Sequence, residues 1–243
     1  SLPLFNNATQ AQKAPGSTFK PIIAVAALEE GVIGLNDTVN CTGIYKEISP
    51  ALRCWIYPGQ HGPLDVVHGI QNSCYVFFSE MGHRISMDEN GNYSPELGIE
   101  KIRKYASMFG LDETSGIEIA EREPQMTTEK PEASSIGQGK NSYSNIQLSR
   151  YITAVANKGT VFKLSLLDKM TDSQGNLLKD FTPEVRSTID VKDSTWNAVH
   201  TGMRRVISDG SARKIFSDLE VDIAGKTGTA EEIKNGHRVN HEF

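Results

Sequence analysis

The spacing of apolar residues predicts a helix near the start of the chain, over residues 17–31. Its apolar side chains recur at intervals of three and four, which is the pattern of a helix with one buried face: Phe19, Ile22, Ile23, Ala26 and Ala27. Proline is tolerated only in a first helical turn, so Pro21 requires the helix to begin close to Ser17. Gly31 stands where a helix commonly ends.

Four further segments show helical spacing: residues 64–84, 96–109, 144–157 and the stretch from Trp196 to Ile207. Gly110 follows the second segment as a stop signal. Ser142 or Ser144 is placed to cap the third helix, and Ser194 to cap the fourth. Residues 41–62 and 111–140 are predicted to be irregular, and a hairpin is predicted from Thr160 to Leu178 with its turn at 172–176.

The C-terminal residues predict a second hairpin that is cut short. Apolar and polar residues alternate enough over 219–229 to form a strand, and Asn235-Gly236 is typical of a type I′ turn. A return strand begins with Val239, His241 and Phe243, and the sequence stops inside it. Two-stranded sheets are marginal alone, so we expect a fragment whose sheet is incomplete.

Composition places the chain among globular proteins. It has 243 residues, of which 38% are hydrophobic and 23% charged, and this excludes a disordered or collagen-like chain and allows one or two domains. A net charge of -5 argues against a nucleic-acid binder. The longest apolar run, residues 22–28, is far shorter than the ~20 residues that span a bilayer, and no signal peptide begins the chain.

The cysteines and histidines show no metal-ligand spacing. Three cysteines and six histidines are present, without a C-x-x-C or H-E-x-x-H pattern, so neither a metal site nor a cofactor is expected. The odd number of cysteines leaves at least one thiol free. Cys41 and Cys54 flank a turn-rich segment and could pair, but their spacing does not decide the question.

Ser17-Thr18-Phe19-Lys20 places a serine and a lysine three residues apart at the start of the first predicted helix. Positions i and i+3 share a helix face, so the amine can lie beside the hydroxyl. A lysine kept out of water is neutral enough to take the serine's proton and activate it as a nucleophile. Taken alone, the motif is weak and is more often a surface serine and a solvated lysine on an amphipathic helix.

Two other motifs follow along the chain. Lys226-Thr227-Gly228-Thr229 lies on the last predicted strand, where the glycine allows a ligand to approach and the lysine and threonines suit a carboxylate; a plain edge strand is the alternative. Ser73-Cys74-Tyr75, just inside a predicted helical stretch, contains a serine that could relay a proton or could simply cap the helix.

Together the three motifs resemble the signature S-x-x-K, S-x-N and K-T-G of the penicillin-binding proteins. The chain is similar to their transpeptidase domain from about Leu4 to its last residue, with further landmarks at residues 15–21, 59–62, 135–139 and 147–159. Trp55 followed by His61-Gly62 favours the monofunctional class B type over the type that carries a glycosyltransferase domain.

The resemblance implies an α+β, serine DD-peptidase/β-lactamase-like fold with a helical lobe packed on an antiparallel sheet. Residues 1–243 would be a partial transpeptidase domain, itself soluble, without the family's N-terminal domain, membrane anchor and C-terminal strands. We expect the whole protein on the extracytoplasmic face of a bacterial membrane with cell-wall synthesis proteins as partners. We also expect the fragment to bind penicillin weakly or not at all unless another chain completes its sheet.

The resemblance also implies the reaction. Ser17 would attack the carbonyl of a D-alanyl-D-alanine stem peptide, or of a β-lactam, and form an acyl-enzyme. Lys20 would be the general base and Ser73 would pass a proton to the leaving group. Lys226, Thr227, Gly228 and Thr229 would form the strand that holds the substrate carboxylate. The backbone N–H groups of Ser17 and Thr229 would form the oxyanion hole.

Tyr75 departs from the family pattern, which has asparagine at this position. An amide offers both a donor and an acceptor, whereas a phenol is bulkier and has a single hydroxyl. Our hypothesis is that Tyr75 weakens catalysis, because the amide that would hold the substrate and orient Lys20 is absent. Two other functions stay open: a class D-like serine β-lactamase, which also carries S-T-F-K, and a penicillin-binding sensor or scaffold that has lost catalysis.

Overall fold

The computed structural model describes residues 4–216, 218, 220–234 and 237–242, and its centre is the first predicted helix. A 3₁₀ turn, Gly16–Phe19, leads directly into helix α1, Lys20–Glu29, whose side chains from Lys20 to Leu28 are all buried. Pro21 lies in its first turn, and Gly31 follows with a φ of 69°. The helix is therefore confirmed, with the nucleophile motif at its start.

Seven further helices are described: α2 Val66–Gln71, α3 Tyr75–Ile85, α4 Pro95–Met108, α5 Pro131–Ser135, α6 Asn145–Ala156, α7 Asp193–Ser208 and α8 Arg213–Phe216. Helices α2, α3, α4 and α7 contact α1 and enclose it, and α2 also packs on α7. None of the described helices is long and apolar enough to cross a membrane.

The predicted helix boundaries hold for α4 and α6 and fail in two places. Ser144 and Gln147 form a capping box at the start of α6. The single helix predicted over 64–84 is two helices, because Ser73 takes a left-handed conformation with a φ of 49°. Ser194 does not cap α7, because the helix begins after Lys192. The backbone N–H of Lys192 donates to the Glu29 carboxylate at 3.3 Å. A contact with α1 thus sets the start of α7.

The described strands pair in twos, and every pair is antiparallel. The pairs are β1 Gln12–Lys13 with β6 Tyr143–Ser144, β2 Val39–Cys41 with β5 Gly62–Leu64, β3 Ile44–Tyr45 with β4 Leu52–Arg53, β7 Thr160–Lys163 with β10 Glu184–Thr188, β8 Lys169–Thr171 with β9 Leu177–Asp180, and β11 Thr229–Lys234 with β12 His237–Glu242. Helices and antiparallel strands in one chain confirm the α+β class. The two segments predicted to be irregular contain two short strands, β3 and β4, and helix α5, and the first is bordered by the ends of β2 and β5.

Both predicted hairpins need correction. The turn at 172–176 is confirmed between β8 and β9, but β7 pairs with β10 instead. The strand predicted over 219–229 is wrong for the described residues 220–228, since β11 begins only at Thr229. Backbone bonds explain why: Gly225 donates to Met203 of α7 at 3.1 Å, and the segment runs along that helix. The turn at 235–236 and residue 243 lie outside the described residues.

Candidate active site

Ser17 lies in the 3₁₀ turn before α1 and is buried. Gly16 takes a φ of 55°, and its N–H donates to the carbonyl oxygen of Gly137 at 3.0 Å. Gly137 itself takes a φ of 77°, and a side chain there would collide with the Gly16 carbonyl. The loop around Gly137 therefore needs glycine in order to hold the turn that carries Ser17.

Lys20 lies one turn further on, and its amine contacts two serines. The Nζ atom donates to Ser17 Oγ at 3.0 Å, to Ser73 Oγ at 3.0 Å and to the Ser73 carbonyl oxygen at 2.7 Å. The side chain is completely buried. Burial, and secondly the charge of Lys226, hold the pKa of Lys20 well below its ordinary value. A buried lysine with a lowered pKa beside a serine hydroxyl has the geometry of a general base.

Ser73 lies at the break between α2 and α3, which directs both its hydroxyl and its carbonyl toward Lys20. The next residue, Cys74, caps α3. From the other side, Lys226 Nζ donates to Ser73 Oγ at 2.9 Å, and burial lowers the pKa of Lys226 to about 7. The structure thus brings Ser17, Lys20, Ser73 and Lys226 together, as the three motifs predict.

The threonine-flanked glycine segment lies beside this group. Thr229 begins β11, and β11 contacts the 3₁₀ turn of Ser17. Gly228 is buried and Thr227 is exposed, with its hydroxyl 3.4 Å from that of Ser211. Lys226, Thr227 and Gly228 precede the strand rather than belong to it, but the segment still borders the turn that carries Ser17.

Tyr75 is the first residue of α3 and is half-buried. Its ring lies over the amine of Lys20, with Nζ 4.3 Å from the ring centroid. Tyr75, the residue that departs from the family motif, is therefore in direct contact with Lys20.

Beside the second motif is a group that sequence spacing does not reveal. The ligand atoms of Cys41, Cys54, His61 and Cys74 all lie within 4.8 Å of one another. His61 Nδ1 is 3.5 Å from Cys41 Sγ and 3.7 Å from Cys54 Sγ, and the sulfurs of Cys54 and Cys74 are 3.9 Å apart. Four segments of chain contribute one residue each, so no local pattern could have identified the group.

All three thiols are free and buried, so the disulfide between Cys41 and Cys54 that the sequence left open is absent. Hydrogen bonding by the Cys74 thiol lowers the pKa of Cys54. The distances suit a tetrahedral metal ion: bonds of about 2.3 Å to sulfur and 2.0 Å to nitrogen place neighbouring ligand atoms about 3.3–3.8 Å apart. These four side chains could therefore hold zinc.

The fold is the serine D,D-peptidase fold of the solved structures to which the chain is similar. The chain superposes with a TM-score of 0.84 on a chain from a structure described as "Structural coordination of polymerization and crosslinking by a peptidoglycan synthase complex", at 26% identity over 97% of this chain and 39% of the other. The chain also superposes on Helicobacter pylori PBP2 in complex with MreC, with a TM-score of 0.75 and 20% identity. That match covers 94% of this chain and 42% of the other.

The chain belongs to the family of penicillin-binding protein transpeptidase domains, whose sequence profile matches residues 2–242. The peptidoglycan D,D-transpeptidase MrdA of Escherichia coli K12 is 29% identical over 263 residues, which cover 98% of this chain and 39% of MrdA. The chain thus spans about two fifths of the length of this relative. The predicted class B type fits, and the β-lactamase alternative is not favoured.

Proposed function

We propose that this chain carries the acylation centre of a peptidoglycan D,D-transpeptidase, with Ser17 as nucleophile. The observation that carries the proposal is the buried amine of Lys20, which lies 3.0 Å from both Ser17 Oγ and Ser73 Oγ. A neutral amine in that place can accept the proton of one serine while it is held by the other.

In the first half-reaction Lys20 takes the Ser17 proton, and Ser17 Oγ attacks the carbonyl carbon of the penultimate D-alanine. The bond to the terminal D-alanine breaks, and its amine leaves with a proton delivered through Ser73. A β-lactam would acylate Ser17 in the same way, since its ring amide takes the place of that bond. In the second half-reaction an amine of a neighbouring stem peptide attacks the ester, forms the cross-link and returns a proton to Ser17.

Lys226, Thr227 and Thr229 would bind the terminal carboxylate of the substrate, because a cation and two hydroxyls match its charge and its acceptors. The backbone N–H groups of Ser17 and Thr229 would donate to the developing oxyanion. Each such donor contributes about 2.7–4 kcal/mol in other acyl-transfer enzymes.

The test is the intact mass of the full-length protein after incubation with benzylpenicillin. We expect an adduct of one penicillin on Ser17, absent in Ser17→Ala and retained in Ser173→Ala, which changes an exposed serine on the β8–β9 hairpin. An adduct that persists supports a transpeptidase, while rapid release supports a β-lactamase. Wild-type full-length protein that never forms an adduct would contradict the proposal and favour a scaffold.

For the whole protein we propose a membrane-anchored class B penicillin-binding protein that acts outside the membrane with other cell-wall synthesis proteins. In that protein residues 1–243 are part of the transpeptidase domain. The solved relatives support this proposal, since one is described as part of a peptidoglycan synthase complex and another is bound to MreC. Peptidoglycan stem peptides and β-lactams are the proposed ligands.

We also propose that Cys41, Cys54, His61 and Cys74 bind one structural zinc ion. Three sulfurs and one imidazole are the ligands of closed structural zinc sites, and the three separations given above are close to those of a tetrahedron. The role of the ion would be to connect β2, the segment around Cys54, the residue before β5 and the start of α3, next to Ser73.

A further inference from the structure

We propose that Tyr75 is a positioning residue whose ring face holds the amine of Lys20 against Ser17, an inference that rests on the proposed acylation reaction. The contact involves the second motif, at the position where this chain has tyrosine and the family pattern has asparagine. Two aromatic rings lie near the amine: Tyr75 at 4.3 Å from Nζ to the ring centroid and Phe78 at 5.5 Å. Tyr75 is the nearer of the two by more than an ångström.

The two rings differ in exposure. Phe78 is completely buried, whereas Tyr75 is half-buried, so Tyr75 is the one of these two rings that reaches the surface. Lys20 itself has no exposed surface. Removal of the Tyr75 ring would open a path for water to the amine.

The hydrogen bonds of Lys20 show why a ring beside the amine is useful. An ammonium group has three N–H bonds, and three acceptors surround it: one oxygen of Ser17 and two of Ser73. A neutral amine has two N–H bonds and a lone pair, which must point at Ser17 to receive its proton. With both N–H bonds held by Ser73, the ring face prevents the amine from turning away and attracts it when it becomes charged.

The ring face, not the hydroxyl, makes this contact. Phenylalanine at this position keeps the face, while leucine or methionine keeps the bulk without the π surface. The inference therefore predicts a difference between Tyr75→Phe and Tyr75→Leu that a purely structural, space-filling role would not produce.

The experiment measures acylation by a fluorescent penicillin over a range of concentrations, which separates the dissociation constant from the acylation rate constant. We expect Tyr75→Phe to keep the rate constant within about threefold, and Tyr75→Leu and Tyr75→Met to lose about tenfold with the dissociation constant unchanged. Phe181→Leu is the matched control, because the Phe181 ring lies 4.4 Å from Lys179 Nζ on the exposed β9 side of the molecule; its rate constant should equal that of the wild type.

A second readout follows the contact without relying on catalysis. In spectra of the ¹³C-lysine-labelled chain, the ring current should shift the Lys20 methylene signals upfield in the wild type and in Tyr75→Phe, and this shift should become smaller in Tyr75→Leu, which keeps only the more distant Phe78 ring. Equal rate constants in wild type, Tyr75→Leu and Tyr75→Met, or an unchanged Lys20 shift in the leucine variant, would overturn the inference. Wild-type full-length protein that is not acylated at all would instead refute the proposed reaction, and the inference with it.

Discussion

Lys226 and Ser73 are joined by a hydrogen bond of 2.9 Å, donated by Lys226 Nζ to the serine hydroxyl oxygen. The same oxygen accepts a hydrogen bond from Lys20 at 3.0 Å. Two lysine amines thus converge on one hydroxyl, and the pKa values of both are lowered, chiefly by burial. Such a pair of amines connects the pH of the solution to both stability and catalysis.

The first prediction concerns stability. Lys226 has a pKa of about 7 in the folded chain and about 10.4 when unfolded. Between these values the unfolded chain binds more protons, so the free energy of unfolding should rise with pH, by up to about 1.4 kcal/mol per pH unit for this group. Urea unfolding at several values between about pH 7 and 9 measures the slope. In Lys226→Met the slope should be smaller; an identical slope would show that Lys226 is not a buried amine.

A second prediction concerns the general base. Lys20→Met should lower the rate constant of acylation by penicillin about 10²–10⁴-fold, because no other described amine lies within hydrogen-bonding distance of Ser17 Oγ. Stopped-flow fluorescence with a labelled penicillin measures it. Lys140→Met, which changes a half-exposed lysine of the loop that follows α5, should acylate at the wild-type rate. Comparable rates in the two variants would assign the base to another group.

A third prediction concerns the missing amide at position 75. The family resemblance gives asparagine there a contact with the substrate amide, so Tyr75→Asn should increase the preference for benzylpenicillin over 6-aminopenicillanic acid, which lacks a side-chain amide. One added hydrogen bond makes that preference about threefold to tenfold larger. Competition labelling with both compounds measures it in each protein. If the two proteins show the same preference, the missing amide does not account for any loss of activity.

A fourth prediction concerns metal. The purified chain should contain about one zinc per molecule, and cobalt in its place should give the absorption of a tetrahedral thiolate site. Chelation, Cys54→Ser and His61→Ala should each lower the unfolding temperature, because the ion connects four segments of chain. His68→Ala, a half-buried histidine outside the cluster, should keep the metal. Full metal content in Cys54→Ser and His61→Ala would place the ion elsewhere.

A fifth prediction separates backbone strain from crowding. Gly137 and Gly175 take similar left-handed conformations, with φ values of 77° and 85°, but only Gly137 faces another backbone; nothing lies within 4 Å of a side chain at Gly175. Gly175→Ala should cost about 1–2 kcal/mol of stability. Gly137→Ala should cost more and should also slow acylation, because it displaces Gly16 and Ser17. Equal costs would show that the loop does not hold the nucleophile.

Local sequence signals sufficed for much of the site. The apolar spacing and Pro21 located the start of α1, and with it the placement of Ser17 beside Lys20. The positions of the other motifs depended on contacts distant in sequence. Ser73 adopts a left-handed backbone conformation that helical spacing does not encode, and the residues before Thr229 follow α7 through Gly225 instead of forming a strand.

The cysteine cluster shows the same limit more strongly. Cys41 and Cys74 are 33 positions apart and carry no spacing signal, yet their side chains meet because β2 and α3 pack together. The sequence alone shows Tyr75 only as a residue that departs from a motif. Its contact with Lys20 depends on where α3 begins, which Cys74 determines by capping that helix.

The buried surface of helix α1 is apolar except for the amine of Lys20, and this has one further consequence. Taking a lysine out of water is unfavourable, and a hydrocarbon side chain of similar length would fill the same space without that penalty. Directed evolution for heat resistance alone should therefore replace Lys20 early. Thermostable descendants selected without an antibiotic-binding screen would be well folded and catalytically dead.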